Sequence, residues 1–297
     1  MVKTVSVTKR SDYISFLKIR LATLVVFSAA ITYILAMITD EGKLNWLDLG
    51  AVILGGFLIT GASNGLNQIK EKELDALMKR TENRPLPTNR MSLKEAWIIA
   101  VSTGLSGVAL LCYLNIITGL LGLISLILYA WIYTPLKQKT SWSVFVGAFP
   151  GALPPMIGWI AYTGEFSPAA ISLFALQFIW QFPHFWAIAW RLDEDYKKAG
   201  FIMLPSGGQK NKQSAFQILF YTIFMIPISL IPMLPMFNVG GILSVIAAIV
   251  CGVIMLRPAL KLYQTLEDKW ATKLMFASFL YLPVILIAMV IDKLYLL

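Results

Sequence analysis

The chain has 297 residues, 58% hydrophobic and 14% charged, roughly four apolar residues for each charged one against about two to one in an average soluble domain. That ratio excludes a soluble globule, and uncharged runs such as 21–37 and 242–256 make lipid the solvent for most of the chain. Two cysteines, Cys112 and Cys251, both inside apolar runs, exclude a disulfide framework, and the net charge of +9 is read as basic loops facing anionic lipid and an anionic substrate, with no role for nucleic acid.

Apolar stretches of about 20 residues fall near 14–38, 48–68, 95–113, 116–134, 142–163, 167–190, 215–235, 239–259 and 272–295. The expectation is an all-α, polytopic membrane protein: nine transmembrane helices in one bundle, a single domain over 1–297. Of the 25 Lys and Arg, 23 fall in alternate loops, beginning with Lys3, Lys9, Arg10, Lys18 and Arg20; only Lys43 and Lys293 fall on the other side. The excess of bases sets the N-terminus in the cytoplasm and the C-terminus outside. No apolar leader or Arg-rich transit segment precedes the first span, which favours the plasma membrane of a bacterium.

After the second span the chain reads SNGLNQIKEKELDALMKRTENRPLP over 63–87. Asn67, Glu71 and Asp75 are four apart and share one face of a continuous helix. Stacked carboxylates repel one another unless a cation neutralises them, as Mg²⁺ does; the plainer alternative is a solvated helix end paired with Lys70, Lys72 and Lys79. Lys79, Arg80 and Arg84 follow, then Pro85 and Pro87, so acids suited to a metal adjoin bases suited to an anion. Lys18 and Arg20 fall at the same membrane face. Glu73 is off the shared face and is expected at the surface.

The loop after the sixth span holds Asp193, Glu194 and Asp195 beside Arg191. Two metal ions clamping a diphosphate need carboxylates from two directions, which two clusters on one face supply. His184, the only histidine, lies two turns before Arg191 among Trp180, Phe182, Phe185, Trp186 and Trp190. It is either a packed core residue or, since ionisable groups in lipid usually face a cavity, a haem ligand, proton acceptor or orienting donor. Tyr129, Trp131 and Tyr133 either line a pocket or belong to an interfacial aromatic belt.

The segments NQIKEKELD (67–75), RTENRPLP (80–87), YTPLKQKT (133–140), GALPPMIGW (151–159) and WQFPHFWAIAWRLDEDY (180–196) together resemble the UbiA family of intramembrane prenyltransferases. GALPPMIGW and WQFPHF resemble its haem-prenylating branch more than its quinone or chlorophyll branches. The resemblance implies a nine-helix bundle with a cytoplasm-facing diphosphate site above a lipid-open cavity. Carried over by position, it implies Asn67, Glu71, Asp75 and Asp195 as Mg²⁺ ligands and catalytic residues. Lys18, Arg80, Arg84 and Lys137 fall to the diphosphate, and His184 to catalysis and haem. It further implies farnesyl diphosphate as donor, haem B as substrate, membrane lipid as surroundings and a downstream haem-modifying enzyme as partner. Glu71 stands where the general pattern has Asp, Arg191 where a second motif has its first Asp, and Ser143 where the haem branch often has Asn. A phenolic or quinone-precursor acceptor, and a non-enzymatic haem carrier or transporter, are the competing expectations.

Overall fold

The computed structural model describes residues 8–296; Lys3 of the loop charge count lies outside them. Fourteen helical segments follow one another: α1 (Lys9–Leu17), α2 (Ile19–Thr39), α3 (Trp46–Lys70), α4 (Lys72–Leu77), α5 (Leu93–Leu114), α6 (Ile116–Ile127), α7 (Thr134–Leu136) and α8 (Ser143–Thr163). Then come α9 (Pro168–Arg191), α10 (Asp193–Lys198), α11 (Pro205–Gly208), α12 (Lys212–Ser229), α13 (Ile242–Thr265) and α14 (Asp268–Leu296). Among the described residues there is no strand. A π-helical turn, Leu128–Tyr133, joins α6 to α7.

Among the described residues, eight helical stretches are long and apolar enough to cross a membrane: Ile19–Thr39, Trp46–Lys70, Leu93–Leu114, Ile116–Leu136, Ser143–Thr163, Lys212–Met233, Ile242–Thr265 and Asp268–Tyr295. The expected span at 167–190 forms a helix of 24 residues, α9, about 36 Å long at 1.5 Å per residue. It is not among the eight because its middle carries Gln177, Gln181 and His184. Exposed apolar side chains such as Leu105, Ile254 and Leu280 cover the outside of the bundle, a surface that suits lipid and not water.

Close helix contact follows from small residues. Gly158 of α8 faces α2, where any Cβ would collide with the carbonyl oxygen of Ala29 and Thr32 Oγ1; a Cβ on Gly65 of α3 would stand 2.8 Å from the Phe16 ring. In lipid, where burying apolar surface gains little, such intimate packing is what holds helices together. The segment GALPP carries a cost that the fold offsets. Pro154 and Pro155 lack the N–H groups that would bond the Pro150 and Gly151 carbonyls. Ser125 Oγ donates to the first at 3.3 Å and Gln177 Nε2 to the second at 2.7 Å.

Two expected continuities are broken, both at site residues. The single span at 14–38 is two helices, because Lys18 adopts the left-handed conformation (φ 49°, ψ 49°). Gln68 Nε2 donates to the Phe16 carbonyl at 2.6 Å and holds the end of α1, while Arg90 grips Asp12 at 3.0 Å. The single helix through 67–75 bends at Glu71 (φ −101°, ψ 13°), where α3 ends and α4 begins. The four-residue spacing survives the bend, since Glu71 N–H still donates to Asn67 O at 2.9 Å and Asp75 N–H to Glu71 O at 2.7 Å.

Candidate active site

Asn67, Glu71 and Asp75 are 2%, 4% and 0% exposed, which removes the reading of a solvated helix end; Glu73 is exposed, as expected. The acids pair with cations from other segments, and Lys70, Lys72 and Lys79 are elsewhere. Arg84 Nη1 lies 2.7 Å from Asp75 Oδ2, and Lys137 Nζ 2.8 Å from Glu71 Oε1. Lys70 instead sits over the Trp131 ring and Lys72 donates to Asn89.

Asn67 is oriented by the π-helical turn. Thr134 Oγ1 donates its one proton to the Tyr129 carbonyl at 2.8 Å, so toward Asn67 it can only accept, and Asn67 Nδ2 donates to it at 3.2 Å. The amide oxygen is thereby left for the site. Asp75 Oδ1 is buried with no hydrogen-bond partner. A buried carboxylate oxygen without a donor costs about 1–3 kcal/mol or more and suits a cation. Mg²⁺ takes one or two carboxylates and completes its shell with water and substrate phosphates, which fits this set. Among the described residues, no three His, Cys, Asp or Glu side chains gather into a metal cage on their own.

The predicted second cluster behaves differently. Asp195 accepts from the backbone N–H groups of Lys79 and Arg80, both at 3.3 Å, so its carboxylate ties down the basic loop. Asp193 pairs with Lys197 at 2.8 Å, Glu194 is exposed, and Arg191 reaches Met275 on α14. The structure thus brings Asn67, Glu71, Asp75, Arg84 and Lys137 together and places Asp195 behind the loop that carries Arg80. Arg80 itself stacks over Tyr196 at 5.6 Å.

Lys18 completes the basic side. It is half-buried, and its ammonium is pushed down to about 7 by burial first, then by the fields of Arg84 and Lys137, against the pull of Glu71 and Asp75. Lys137 is also buried, which alone would lower it, but its pair with Glu71 wins and holds it above the ordinary lysine range. Its ammonium also sits 4.7 Å from the Tyr133 ring centre and 5.5 Å from that of Phe201.

Beneath this end lies a cavity of about 350 Å³ whose wall includes Asn64, Tyr129, Tyr133, Gln177, Gln181 and His184. Leu21, Leu24 and Phe279 also border it and are 52%, 53% and 36% exposed, so the cavity reaches the lipid-facing surface. His184 stacks on Trp180, with ring centres 4.5 Å apart, and its Nδ1 lies 2.7 Å from Ser278 Oγ. Of the aromatic trio, Tyr129 and Tyr133 line the cavity, while Trp131 is 47% exposed, as a belt residue would be. Sequence reasoning missed Thr134, Ser278, Gln177 and Gln181. The two glutamines had a signal, since polar residues at 177, 181 and 184 recur on one helical face in an apolar run; the hydroxyls had none.

A bundle of apolar helices with buried acids and bases at one end of an apolar cavity suits an intramembrane protein that handles an anionic, lipid-soluble molecule. A family model described as the UbiA prenyltransferase family matches residues 25–280, and the chain belongs to that family. It is similar to the protoheme IX farnesyltransferase of Cytophaga hutchinsonii, with 46% identity over 284 residues, 95% of this chain and 98% of that one. Its fold is similar to a structure described for digeranylgeranylglyceryl phosphate synthase, with a TM-score of 0.78 over 97% of this chain and 99% of that one at 19% identity. A UbiA homolog from Archaeoglobus fulgidus bound to GPP and Mg²⁺ matches with a TM-score of 0.62 over 93% and 99% of the two chains at 17% identity.

Proposed function

We propose that the protein transfers a farnesyl group from farnesyl diphosphate to a vinyl group of haem B, with addition of water, giving haem O. The observation that carries this reading is the pairing of Arg84 with Asp75 and Lys137 with Glu71 at the mouth of an apolar cavity containing His184. The similarity to a protoheme IX farnesyltransferase at 46% identity supports haem as the acceptor.

Asn67, Glu71 and Asp75 would hold Mg²⁺, which would supply Lewis-acid neutralisation of the diphosphate. Arg84 and Lys137, paired with the acids in this structure, would exchange those partners for the phosphate oxygens, and Lys18 would join them. The carbon–oxygen bond breaks with its electron pair leaving on diphosphate. The π pair of the vinyl group closes the new carbon–carbon bond, and water adds to the cation left beside the porphyrin and loses a proton. Tyr129 and Tyr133 shield the allylic cation with their ring faces. Asp195 contributes by holding the loop of Arg80.

In the same reading, residues 1–297 act as one catalytic unit of nine crossings in a bacterial plasma membrane, N-terminus inside and C-terminus outside. The test is mass spectrometry of the products formed by purified protein with haem B, farnesyl diphosphate and Mg²⁺. A farnesylated, hydrated haem that requires the metal is expected. Unmodified haem together with a prenylated phenolic acceptor would overturn the haem assignment.

A further inference from the structure

His184 offers two ring nitrogens, and the hydrogen bonds around it decide which one is free. Nδ1 lies 2.7 Å from Ser278 Oγ on α14. A serine hydroxyl has one proton, and Ser278 Oγ is 2.6 Å from the Met275 carbonyl oxygen one turn earlier. A carbonyl only accepts, so the serine proton is engaged there and Oγ meets the imidazole with a lone pair. Nδ1 must therefore carry the hydrogen, and in a neutral ring Nε2 then carries the lone pair. Nε2 has no hydrogen-bond partner among the described residues and is not among the sealed, unpartnered buried atoms, in a residue that borders the cavity.

The ring's plane is fixed as well. Trp180 stacks on it at 4.5 Å with 17° between the planes, and Phe279 packs edge-on at 5.0 Å. The Trp180 indole N–H donates to the Ser278 carbonyl at 2.9 Å, so one residue holds both rings. These contacts include no charged group. A metal-ligating imidazole donates its other ring N–H to an oxygen acceptor that fixes tautomer and ring orientation, the part Ser278 Oγ plays for Nδ1.

We infer that Ser278 is a positioning residue that locks His184 in the Nδ1–H tautomer and presents its Nε2 lone pair to the cavity as a ligand for the haem iron. The iron half of this inference rests on the proposed function; the tautomer half stands without it.

Because His184 is the only histidine, histidine labelled with ¹⁵N reports a single imidazole in the full-length, detergent-solubilised protein. Without haem, the wild type and Ser278→Thr are expected to show a protonated Nδ1 and an unprotonated Nε2, and Ser278→Ala a shift toward the Nε2–H form. A wild-type ring protonated at Nε2, or an unchanged tautomer in Ser278→Ala, would overturn the lock. The same proteins are then titrated with haem B and followed by optical and EPR spectra. His184→Ala should abolish the histidine-ligated signature, and Ser278→Ala should weaken haem binding roughly ten- to a hundredfold, with Ser278→Thr restoring it. A haem spectrum indifferent to His184→Ala would overturn iron ligation. Neither readout depends on prenyl transfer, so an inactive protein with the expected tautomer and spectra would sink the proposed reaction and leave this inference standing.

Discussion

Lys18 holds a left-handed backbone conformation at a non-glycine position, at a cost of roughly 1–2 kcal/mol, and that break turns its ammonium toward Arg84 and Lys137. Three cations then share a small volume, and one gives way: Lys18 is held near 7. An arriving diphosphate favours the charged form, so binding above about 7 takes up a proton. Affinity for farnesyl diphosphate should therefore be greatest below that pH and fall by up to about tenfold for each further pH unit. Lys18→Arg stays charged throughout, so its profile should lack this component, while the substrate's own ionisation remains common to both proteins. Parallel pH profiles for the two would remove Lys18 from the diphosphate site. The partner exchange makes a second demand. Glu71→Gln frees Lys137 from its 2.8 Å ion pair while weakening the metal site, so diphosphate affinity without Mg²⁺ should rise about tenfold, about 1.4 kcal/mol, while activation by Mg²⁺ falls. Calorimetry with diphosphate, with and without Mg²⁺, checks both signs; a loss of metal-free affinity would count against the exchange.

At the scale of elements, the sequence makes local properties legible and leaves long-range partners unmarked. The apolar stretches and the four-residue spacing of Asn67, Glu71 and Asp75 are local properties of the chain; eight helices of spanning length and composition and the unbroken 67–71–75 backbone bonds reflect them, while the break at Lys18 does not follow from either. Partners are not local: Asp75 finds Arg84 nine residues on, Glu71 finds Lys137 and His184 finds Ser278, the last two across 66 and 94 residues, and no periodicity encodes such pairs. The π-helical turn at Leu128–Tyr133 was likewise silent, since one widened turn leaves an apolar run apolar. The tie from Asp195 to the backbone N–H groups of Lys79 and Arg80, 116 and 115 residues away, is equally non-local, because an acid beside a base reads identically whether it binds metal or accepts from backbone N–H groups. The α8–α9 contact gives these ideas an energetic test. Gln177 Nε2 serves the Gly151 carbonyl that Pro155 leaves bare, so Gln177→Leu should destabilise the protein by about 1 kcal/mol. Pro155→Ala restores the helical N–H donor, so in that background the same change should cost measurably less. A double-mutant cycle of unfolding midpoints in detergent measures the coupling, and strictly additive effects would refute it.

At the scale of the whole molecule, α9 decides the topology. Eight helical stretches have the composition of membrane spans, and eight crossings would leave both termini on one face; a ninth places them on opposite faces. α9 joins α8 through only the four residues 164–167, with Ser167 as its N-cap, and a connection that short returns the chain antiparallel to its predecessor. Its polar middle is no obstacle to crossing, because Gln177 and Gln181 donate to α8 carbonyls and His184 bonds Ser278, so few of its polar groups face lipid. The charge split favours the same parity: reading α9 as a loop would move Arg191, Lys197, Lys198, Lys210, Lys212, Arg257, Lys261, Lys269 and Lys273 to the outer side and spoil an otherwise consistent excess of inner bases. Cysteines placed singly at the two termini, in a background with Cys112 and Cys251 replaced, should therefore label from opposite sides of intact cells and inverted vesicles. Labelling of both ends from the same side would remove α9 from the membrane, and with it the cavity wall that presents His184.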